Sequence, residues 1–292
     1  MTSTPPAADA TTSTSRSTPT RRPALSPSRA NDFAQCPLLF RFRVVDRLPE
    51  PPSAAATRGT LVHAVLERLF DAPAGGRTLE HAHALLPEEW AALQVAHPEY
   101  ADLFGTDDDA AWLTTAAELL RTYFSLEDPN RLEPAARELF VEAQLENGPL
   151  LRGIVDRIDE APDGSLRVVD YKTGKSPRQG YEASALFQMR FYGLVIWRTR
   201  GVIPRMLQLV YLGDGQIIRH EPSETELDTA EARIRTTWDQ IRSTAVAGDW
   251  KPRTSALCGW CAHQSRCPAF GGLAPQIPEG AVELTLGVVP RA

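Results

Sequence analysis

The chain has 292 residues, of which 42% are hydrophobic, and its formal net charge is -6. This length predicts one or two domains, and the negative charge argues against a protein that coats nucleic acid through a generally basic surface. The sequence has no apolar run long enough to cross a membrane and no hydrophobic signal segment near its first residue. We therefore expect a cytoplasmic protein whose cysteines stay reduced, with no membrane partner.

The first half of the chain is predicted to be helical after a polar tail. Residues 1–26 are mostly Ser, Thr, Pro and Ala, a composition typical of disorder. Ser26 followed by Pro27 predicts the start of a helix that delivers Cys36. A proline-rich connector precedes a second helix, on which His63 lies on the polar side. Residues 75–125 predict further helices, which we interpret as a helical insertion.

The hydrophobic pattern then changes from a period of 3.6 to a period of two. Strands are predicted at 138–146, 150–160 and 165–172, with a hairpin turn at Asp163-Gly164 between the last two. The remaining predicted elements are a helix at 182–200, a strand at 206–212, a hairpin turn at Asp214-Gly215 and a helix at 223–246. This order predicts an α/β fold in which a mixed central sheet is flanked by helices. We expect one domain over residues 27–270 and a C-terminal tail over 271–292.

Two neighbouring predicted strands carry charged residues that suit phosphodiester chemistry. Asp170 and Lys172 are two residues apart on one strand, so they share a face. Asp156 on the preceding strand adds a second carboxylate if it faces the same way. Carboxylates of this kind suit Mg²⁺ or Mn²⁺, and the lysine can stabilise negative charge on a phosphoryl group. The alternative is a hairpin with ordinary surface ion pairs.

The order of motifs resembles the RecB-like exonucleases of the PD-(D/E)xK nuclease superfamily. In that family a helical His, a Gly-x-x-Asp-Arg strand, an Asp-Tyr-Lys-Thr-Gly strand and a Gln-x-x-x-Tyr helix recur in this order. The corresponding segments here are His63, Gly153 to Arg157, Asp170 to Gly174, and Gln188 with Tyr192. The resemblance implies a restriction-endonuclease-like core over most of the chain.

Carried over residue by residue, the resemblance implies a catalytic site and a metal site that overlap. The metal ligands would be His63, Asp156, Asp170 and the backbone carbonyl of Tyr171. Lys172 would be the catalytic lysine, and Gln188 and Tyr192 would contact the DNA or orient this lysine. An acidic residue is also common in the family on the strand that carries Glu142, so Glu142 is a further candidate metal ligand. The alternative is that Glu142 is an exposed strand carboxylate.

The four cysteines form a second pattern that suggests a metal centre. Cys258, Cys261 and Cys267 lie within ten residues, whereas Cys36 lies far upstream. Thiolates prefer zinc or an iron–sulfur cluster to hard cations. A subset of RecB-like nucleases, including AddB-type repair nucleases and CRISPR adaptation exonucleases, has a similar cysteine pattern, which implies a 4Fe-4S cluster that joins the N- and C-terminal parts. A zinc site completed by His263 is the alternative.

These patterns predict a metal-dependent DNA nuclease, with candidate DNA contacts at Arg58, Lys175, Arg178 and Arg190. We expect an exonuclease that acts on single-stranded DNA or DNA ends in repair or recombination, with a separate helicase or repair partner. One alternative is a catalytically silent DNA-binding or scaffold subunit with the same fold. Another is an interaction module held together by zinc.

Overall fold

The computed structural model describes residues 22–104, 109–178 and 183–291. It contains a six-stranded mixed sheet flanked by helices, which confirms the predicted α/β class. The strands are β1 (Ala24–Leu25), β2 (Pro134–Gln144), β3 (Leu150–Glu160), β4 (Leu166–Lys172), β5 (Met206–Tyr211) and β6 (Gln216–His220). The α-helices are α1 (Pro27–Gln35), α2 (Pro37–Phe40), α3 (Ala54–Leu69), α4 (Leu79–Ala96), α5 (Ala110–Leu126), α6 (Ala183–Arg200), α7 (Glu224–Ala247) and α8 (Ala281–Leu286). In the described part of the chain, no helix is long and apolar enough to cross a membrane.

The sheet runs in the order β1-β3-β4-β5-β6, and β2 also pairs with β3. The β2–β3, β3–β4 and β5–β6 pairs are antiparallel, whereas β1–β3 and β4–β5 are parallel. The parallel β4–β5 pair needs a crossover connection, and α6 supplies it. The predicted hairpin turns at 163–164 and 214–215 join β3 to β4 and β5 to β6.

Strand β4 lies at the centre of the molecule and is covered on both faces. Val168 packs in a core built with α1, α6 and α7, whereas Val169 packs in a core built with α3, α4 and α5. A strand buried on both faces reads as a nearly continuous apolar run, and Leu166, Val168 and Val169 follow this pattern, interrupted by Arg167, which pairs with Asp159. Polar residues at the end of such a strand therefore stand out, and Asp170 and Lys172 are placed there.

The chain ends differ from the predicted tails. Most of the predicted N-terminal tail lies outside the described residues, but Ala24 and Leu25 are buried and pair with β3. In the predicted C-terminal tail, Val282 and Leu286 of α8 are buried in the core. Two-residue strands and a six-residue helix are too short to produce a periodic pattern, so the sequence did not indicate them.

Candidate active site

The candidate site lies where β3 and β4 separate. The β3–β4 ladder pairs residues 157–160 of β3 with 166–169 of β4. Beyond this ladder the carboxylate of Asp156 accepts a hydrogen bond from the backbone N–H of Tyr171, with 2.6 Å between Oδ2 and N. A side chain thus satisfies a backbone donor of β4 at the point of separation. The separation of β3 and β4 thus positions Asp156 beside the polar end of β4.

A chain of hydrogen bonds orients the predicted catalytic lysine. Lys172 Nζ lies 2.6 Å from Asp170 Oδ2 and donates to Gln188 Oε1 at 2.8 Å. The amide nitrogen of Gln188 donates to Asp170 Oδ1 at 2.7 Å and lies 3.4 Å from the hydroxyl of Tyr192. Gln188 and Tyr192 share one face of α6 because they are four residues apart. Helix α6 therefore supplies an acceptor for Lys172 and a donor for Asp170 from a single amide.

Close packing allows α6 to approach β3 at this point. A Cβ atom added at Gly153 would lie 2.5 Å from Cε1 of Tyr192, which is closer than a side chain permits. Tyr192 is itself buried. Any larger residue at position 153 would displace the ring that contacts Gln188.

The second part of the site comes from α3, on the opposite side of the sheet from α6. His63 Nε2 lies 3.1 Å from the carbonyl oxygen of Tyr171, and Nδ1 lies 3.5 Å from Asp156 Oδ2 and 3.8 Å from Glu138 Oε1. The ligand atoms of His63, Glu138 and Asp156 all lie within 4.8 Å of one another. The structure thus brings the four predicted metal ligands into one region and adds a fifth candidate donor, the carboxylate of Glu138.

Sequence reasoning missed Glu138; on this strand it named only Glu142 as a candidate, with an exposed carboxylate as the alternative. Glu142 is exposed and paired with Arg152, with 3.0 Å between Oε2 and Nε. Glu138 has a positive φ of 41° in the middle of β2, where the neighbouring residues follow the ladder with β3. Such a conformation is unfavourable for glutamate and is commonest at functional sites. No local sequence pattern predicts the positive φ of Glu138. The sequence offered only the cue that an acidic residue lies somewhere on this strand, which does not distinguish Glu138 from Glu142.

The site carries more negative charge than its own cations balance. Burial and the neighbouring Asp170 raise the pKa of Asp156 to about 7. Burial also raises the pKa of Asp170, which is only 2% exposed, against the opposing effect of Lys172. Burial by itself would lower the pKa of His63, but Glu138, Asp156 and Asp170 together raise it to about 9. Excess carboxylates that draw a proton onto a partly buried imidazole are a favourable environment for a cation.

The site opens to solvent through a cavity of about 810 Å³. Its lining includes His63, Glu67, Glu138, Lys172 and Lys175. Gly59 of α3 faces this opening, and a Cβ there would lie 3.3 Å from Oγ1 of Thr173. A substrate could therefore reach His63, Glu138 and Lys172 from one side.

The predicted DNA-contacting residues are placed differently from one another. Lys175 lines the cavity, and Arg178 is exposed in the loop after β4. Arg58 donates to Thr115 Oγ1 of α5 at 3.0 Å, and Arg190 pairs with Glu226 of α7 at 3.1 Å. Arg58 and Arg190 thus hold helices together in this structure.

The four cysteines lie around one hollow at the junction of the chain ends. Cys36, Cys258, Cys261 and Cys267 are all partly buried and free of disulfides. The backbone N–H of Arg253 donates to Cys36 Sγ, and that of Ser255 donates to Cys258 Sγ, both at 3.4 Å. Burial raises the pKa of the Cys261 thiol, and Cys36 and Cys258 add to the effect. The fold brings the remote Cys36 to the C-terminal triplet.

Known proteins resemble the chain in sequence. It is 26% identical to the Gene 69 protein of Mycobacterium phage L5 over 294 residues, which cover 87% of this chain and 99% of that protein. It is 28% identical to the Gene 69 protein of Mycobacterium phage D29 over 199 residues, which cover 62% of this chain and 71% of that protein.

A solved structure and a family match agree with the geometry. A crystal structure from Eubacterium rectale, named as a candidate exonuclease, covers 91% of this chain and 94% of its own with a TM-score of 0.55. Its sequence identity is 15%, so this likeness concerns the fold. Residues 24–268 match the model of the PD-(D/E)XK nuclease superfamily. With this match over most of its length, the chain belongs to the PD-(D/E)XK nuclease superfamily.

Proposed function

We propose that this chain is a divalent-metal-dependent DNA nuclease of the RecB-like type, and that it degrades single-stranded DNA or DNA from an end. One observation carries the proposal: the carboxylates of Asp156 and Asp170 meet His63 and the Tyr171 carbonyl beside the ammonium of Lys172. An accessible cavity reaches this group at His63, Tyr171 and Lys172. The order of the four motifs along the chain supports the RecB-like type.

The donor set suits a hard divalent cation. Carboxylate and carbonyl oxygens are the ligands that Mg²⁺ and Mn²⁺ prefer, and a histidine is compatible with Mn²⁺. Opposite ligands of an octahedral Mg²⁺ lie about 4.2 Å apart, from bonds of about 2.1 Å. The donor atoms of His63, Glu138 and Asp156 already lie within 4.8 Å of one another, so small side-chain movements would bring them to binding distance. A bound ion would supply Lewis acidity and lower the pKa of water.

The protein's own residues would position the substrate and the developing charge. Gln188 and Asp170 hold the ammonium of Lys172 at the polar end of β4. From there Lys172 donates a hydrogen bond to a phosphate oxygen as negative charge grows on it. Hydrolysis adds water to phosphorus and breaks one P–O ester bond, and the buried carboxylates exclude bulk solvent from one side of this reaction.

The test is digestion of 5′- and 3′-labelled single- and double-stranded oligonucleotides with Mn²⁺ or Mg²⁺ under anaerobic conditions. We expect stepwise shortening by the wild type and at least ~100-fold slower cleavage by Lys172→Met and Asp170→Asn. Glu142→Gln is the matched control, because its side chain is exposed and paired with Arg152. Wild-type protein that binds DNA but cleaves no faster than these variants would instead be a silent DNA-binding subunit.

We propose further that the four cysteines hold a structural 4Fe-4S cluster. Four thiolates at one hollow suit either an iron–sulfur cluster or zinc. Thiolates on one tetrahedral zinc lie about 3.8 Å apart, given Zn–S bonds of about 2.3 Å. Among the described residues, the three-member groups within 4.8 Å include no cysteine. The wider spacing favours a cluster, whose irons bind separate thiolates.

The proposed role of His263 in a zinc site has less support. Its Nε2 lies 2.8 Å from Glu50 Oε1, and its imidazole packs against Phe42. A brown protein that absorbs at roughly 400 nm and loses this absorbance in Cys36→Ser would support the cluster. Colourless protein with one equivalent of zinc would contradict it.

A further inference from the structure

Next to the candidate site, β2 and β3 carry a pair of apolar side chains that face solvent. Phe140 is 58% exposed and pairs across the ladder with Ile154, which is 49% exposed. Their neighbours Leu139, Val141 and Val155 pack in the core. Alternation along the strands therefore turns Phe140 and Ile154 away from the core. The packing of the fold does not account for a large exposed aromatic at this place.

This apolar pair lies one step along the ribbon from the candidate metal ligands. Phe140 is two residues from Glu138, and Ile154 is two residues from Asp156. Two residues of a strand span about 7 Å, which is comparable to one extended nucleotide. The next pair along the ribbon is Glu142 with Arg152. A strand of DNA with a phosphate at the ligands would place an adjacent nucleotide over Phe140.

The hollow beside the pair is basic. Phe140 and Ile154 line a hollow of about 210 Å³ together with four arginines and no acidic residue among the described residues, the arginines being Arg22, Arg29, Arg47 and Arg152. They converge from the segment before α1, from α1 itself, from the loop after α2 and from β3. Arg152 is also paired with Glu142 at 3.0 Å. In a chain with a net charge of -6, this group of arginines still marks a local anion-binding surface. DNA fits both features, because its phosphates are anions and each phosphate is joined to a flat base that could lie against Phe140.

We infer that Phe140 is a stacking platform for an unpaired base next to the scissile phosphate, and that the arginine-lined hollow holds the adjoining phosphates. This inference rests on the proposed nuclease function and names its substrate: a single strand, because a base within a duplex cannot turn its face onto a side chain. Stacking on an aromatic ring tolerates any base, so the platform binds without sequence preference. Gly153, between Arg152 and Ile154, lines the same hollow and contacts Tyr192 of the site.

The test measures binding without cleavage. Fluorescence anisotropy of a labelled single-stranded oligonucleotide is recorded with the full chain in Ca²⁺, and a gel checks that the oligonucleotide stays intact. We expect Phe140→Ala to bind about ten-fold more weakly than wild type and Phe140→Trp to bind within about three-fold. Val95→Ala, which removes an exposed apolar side chain of α4, is the matched control and should bind as wild type does. Thermal unfolding of each variant checks the fold.

A second arm identifies the base as the bound group. For the wild type, an oligonucleotide with abasic sites near its end should bind about ten-fold more weakly than the intact oligonucleotide. For Phe140→Ala, the abasic and the intact oligonucleotide should bind with the same affinity, because the base no longer has a ring to stack on. Arg47→Gln should reduce the slope of log K against log salt by about 0.7 for single strands. Equal binding by wild type and Phe140→Ala, or an equal abasic penalty in both, would overturn the platform while leaving cleavage by the wild type intact. Absence of both binding and cleavage in the wild type would instead contradict the proposed function.

Discussion

Glu138 differs from the other acidic residues of its strand in both backbone and surroundings. Its positive φ lies at the point where Asp156 turns toward the site, and its carboxylate is 3.8 Å from His63. Glu142, four residues later, projects into solvent and pairs with Arg152. The unfavourable backbone is maintained by the ladder on both sides of it. We therefore assign Glu138, and not Glu142, to the candidate metal site.

The assignment predicts different effects of two matched substitutions. Glu138→Gln removes one of the anionic donors and should weaken Mn²⁺ binding by about ten-fold or more, whereas Glu142→Gln should change it by less than about two-fold. The measurement is the rise in melting temperature as Mn²⁺ is added, since a ligand that binds only the folded state stabilises it. Equal responses of the two variants would remove Glu138 from the site.

At the scale of elements, a buried ion network joins three strands to the end of α5. Arg157 is 1% exposed, and its guanidinium forms two hydrogen bonds with Glu127, at 2.8 and 3.0 Å. It also pairs with Asp159 at 3.0 Å and donates to the Tyr171 hydroxyl at 2.5 Å. Gln208 of β5 donates to Glu127 at 2.9 Å. Because the backbone of Tyr171 contacts Asp156 and His63, this network fixes the strand end that carries the site.

We predict that Glu127→Gln lowers the free energy of unfolding by about 3 kcal/mol, because Arg157 would lose one of its two charged partners in the interior. Glu133→Gln, whose exposed carboxylate pairs with Arg77, should cost less than about 1 kcal/mol. Urea unfolding at neutral pH measures both. A loss for Glu127→Gln no larger than for Glu133→Gln would contradict the structural role of the network.

The same network predicts an acid dependence. Burial would raise the pKa of Glu127, but Arg157 holds it below its ordinary value of 4.5. The folded state therefore binds this proton less readily than the unfolded state, so the stabilisation is present above pH 4.5 and is lost as pH falls through the lowered pKa. The difference in stability between wild type and Glu127→Gln should shrink below pH 4.5. Urea titrations from pH 3 to 7 test this, and a constant difference would exclude the pairing.

At the scale of the whole molecule, the cysteine hollow connects the two ends of the chain. Cys36 lies between α1 and α2, whereas the triplet follows α7, the last long helix. Arg253 adds two hydrogen bonds between the regions: its backbone N–H donates to Cys36 Sγ, and its guanidinium donates to the carbonyl of Ala34. Gly272 allows a close turn here, since a Cβ would lie 2.3 Å from the carbonyl oxygen of Ser265. A centre bound at this hollow would close a loop that contains five of the six described strands, β2 to β6.

We expect Cys36→Ser to lower the melting temperature by roughly 5–10 °C, because the closed loop would lose a ligand at one end. Trp260→Ala is the matched control: this side chain lies between two cysteines of the triplet and is 90% exposed, so its loss should leave stability unchanged. Scanning calorimetry under anaerobic conditions compares them. Equal melting temperatures for Cys36→Ser and wild type would show that the ends are held by packing alone.

Local periodicity was sufficient to predict the parts of the site that lie on one element. Asp170 and Lys172 share a face because strands alternate, and Gln188 and Tyr192 share a face because four residues make about one helical turn. The spacing of apolar residues likewise predicted β3, β4 and the crossover helix, which led to the mixed α/β class. These features depend on neighbours a few residues away, so the sequence contains them directly.

The tertiary structure decided everything that depends on which distant segments meet. The choice of Glu138 over Glu142 follows from the pairing of β2 with β3 and a single positive φ, and neither is encoded in a periodic pattern. Arg58 and Arg190 were indistinguishable from other basic residues until the packing of α5 and α7 gave them partners. Ala24 and Leu25 form a strand only because residues 150 and 151 lie beside them. Each of these contacts joins segments far apart in sequence, and its free energy depends on the completed fold.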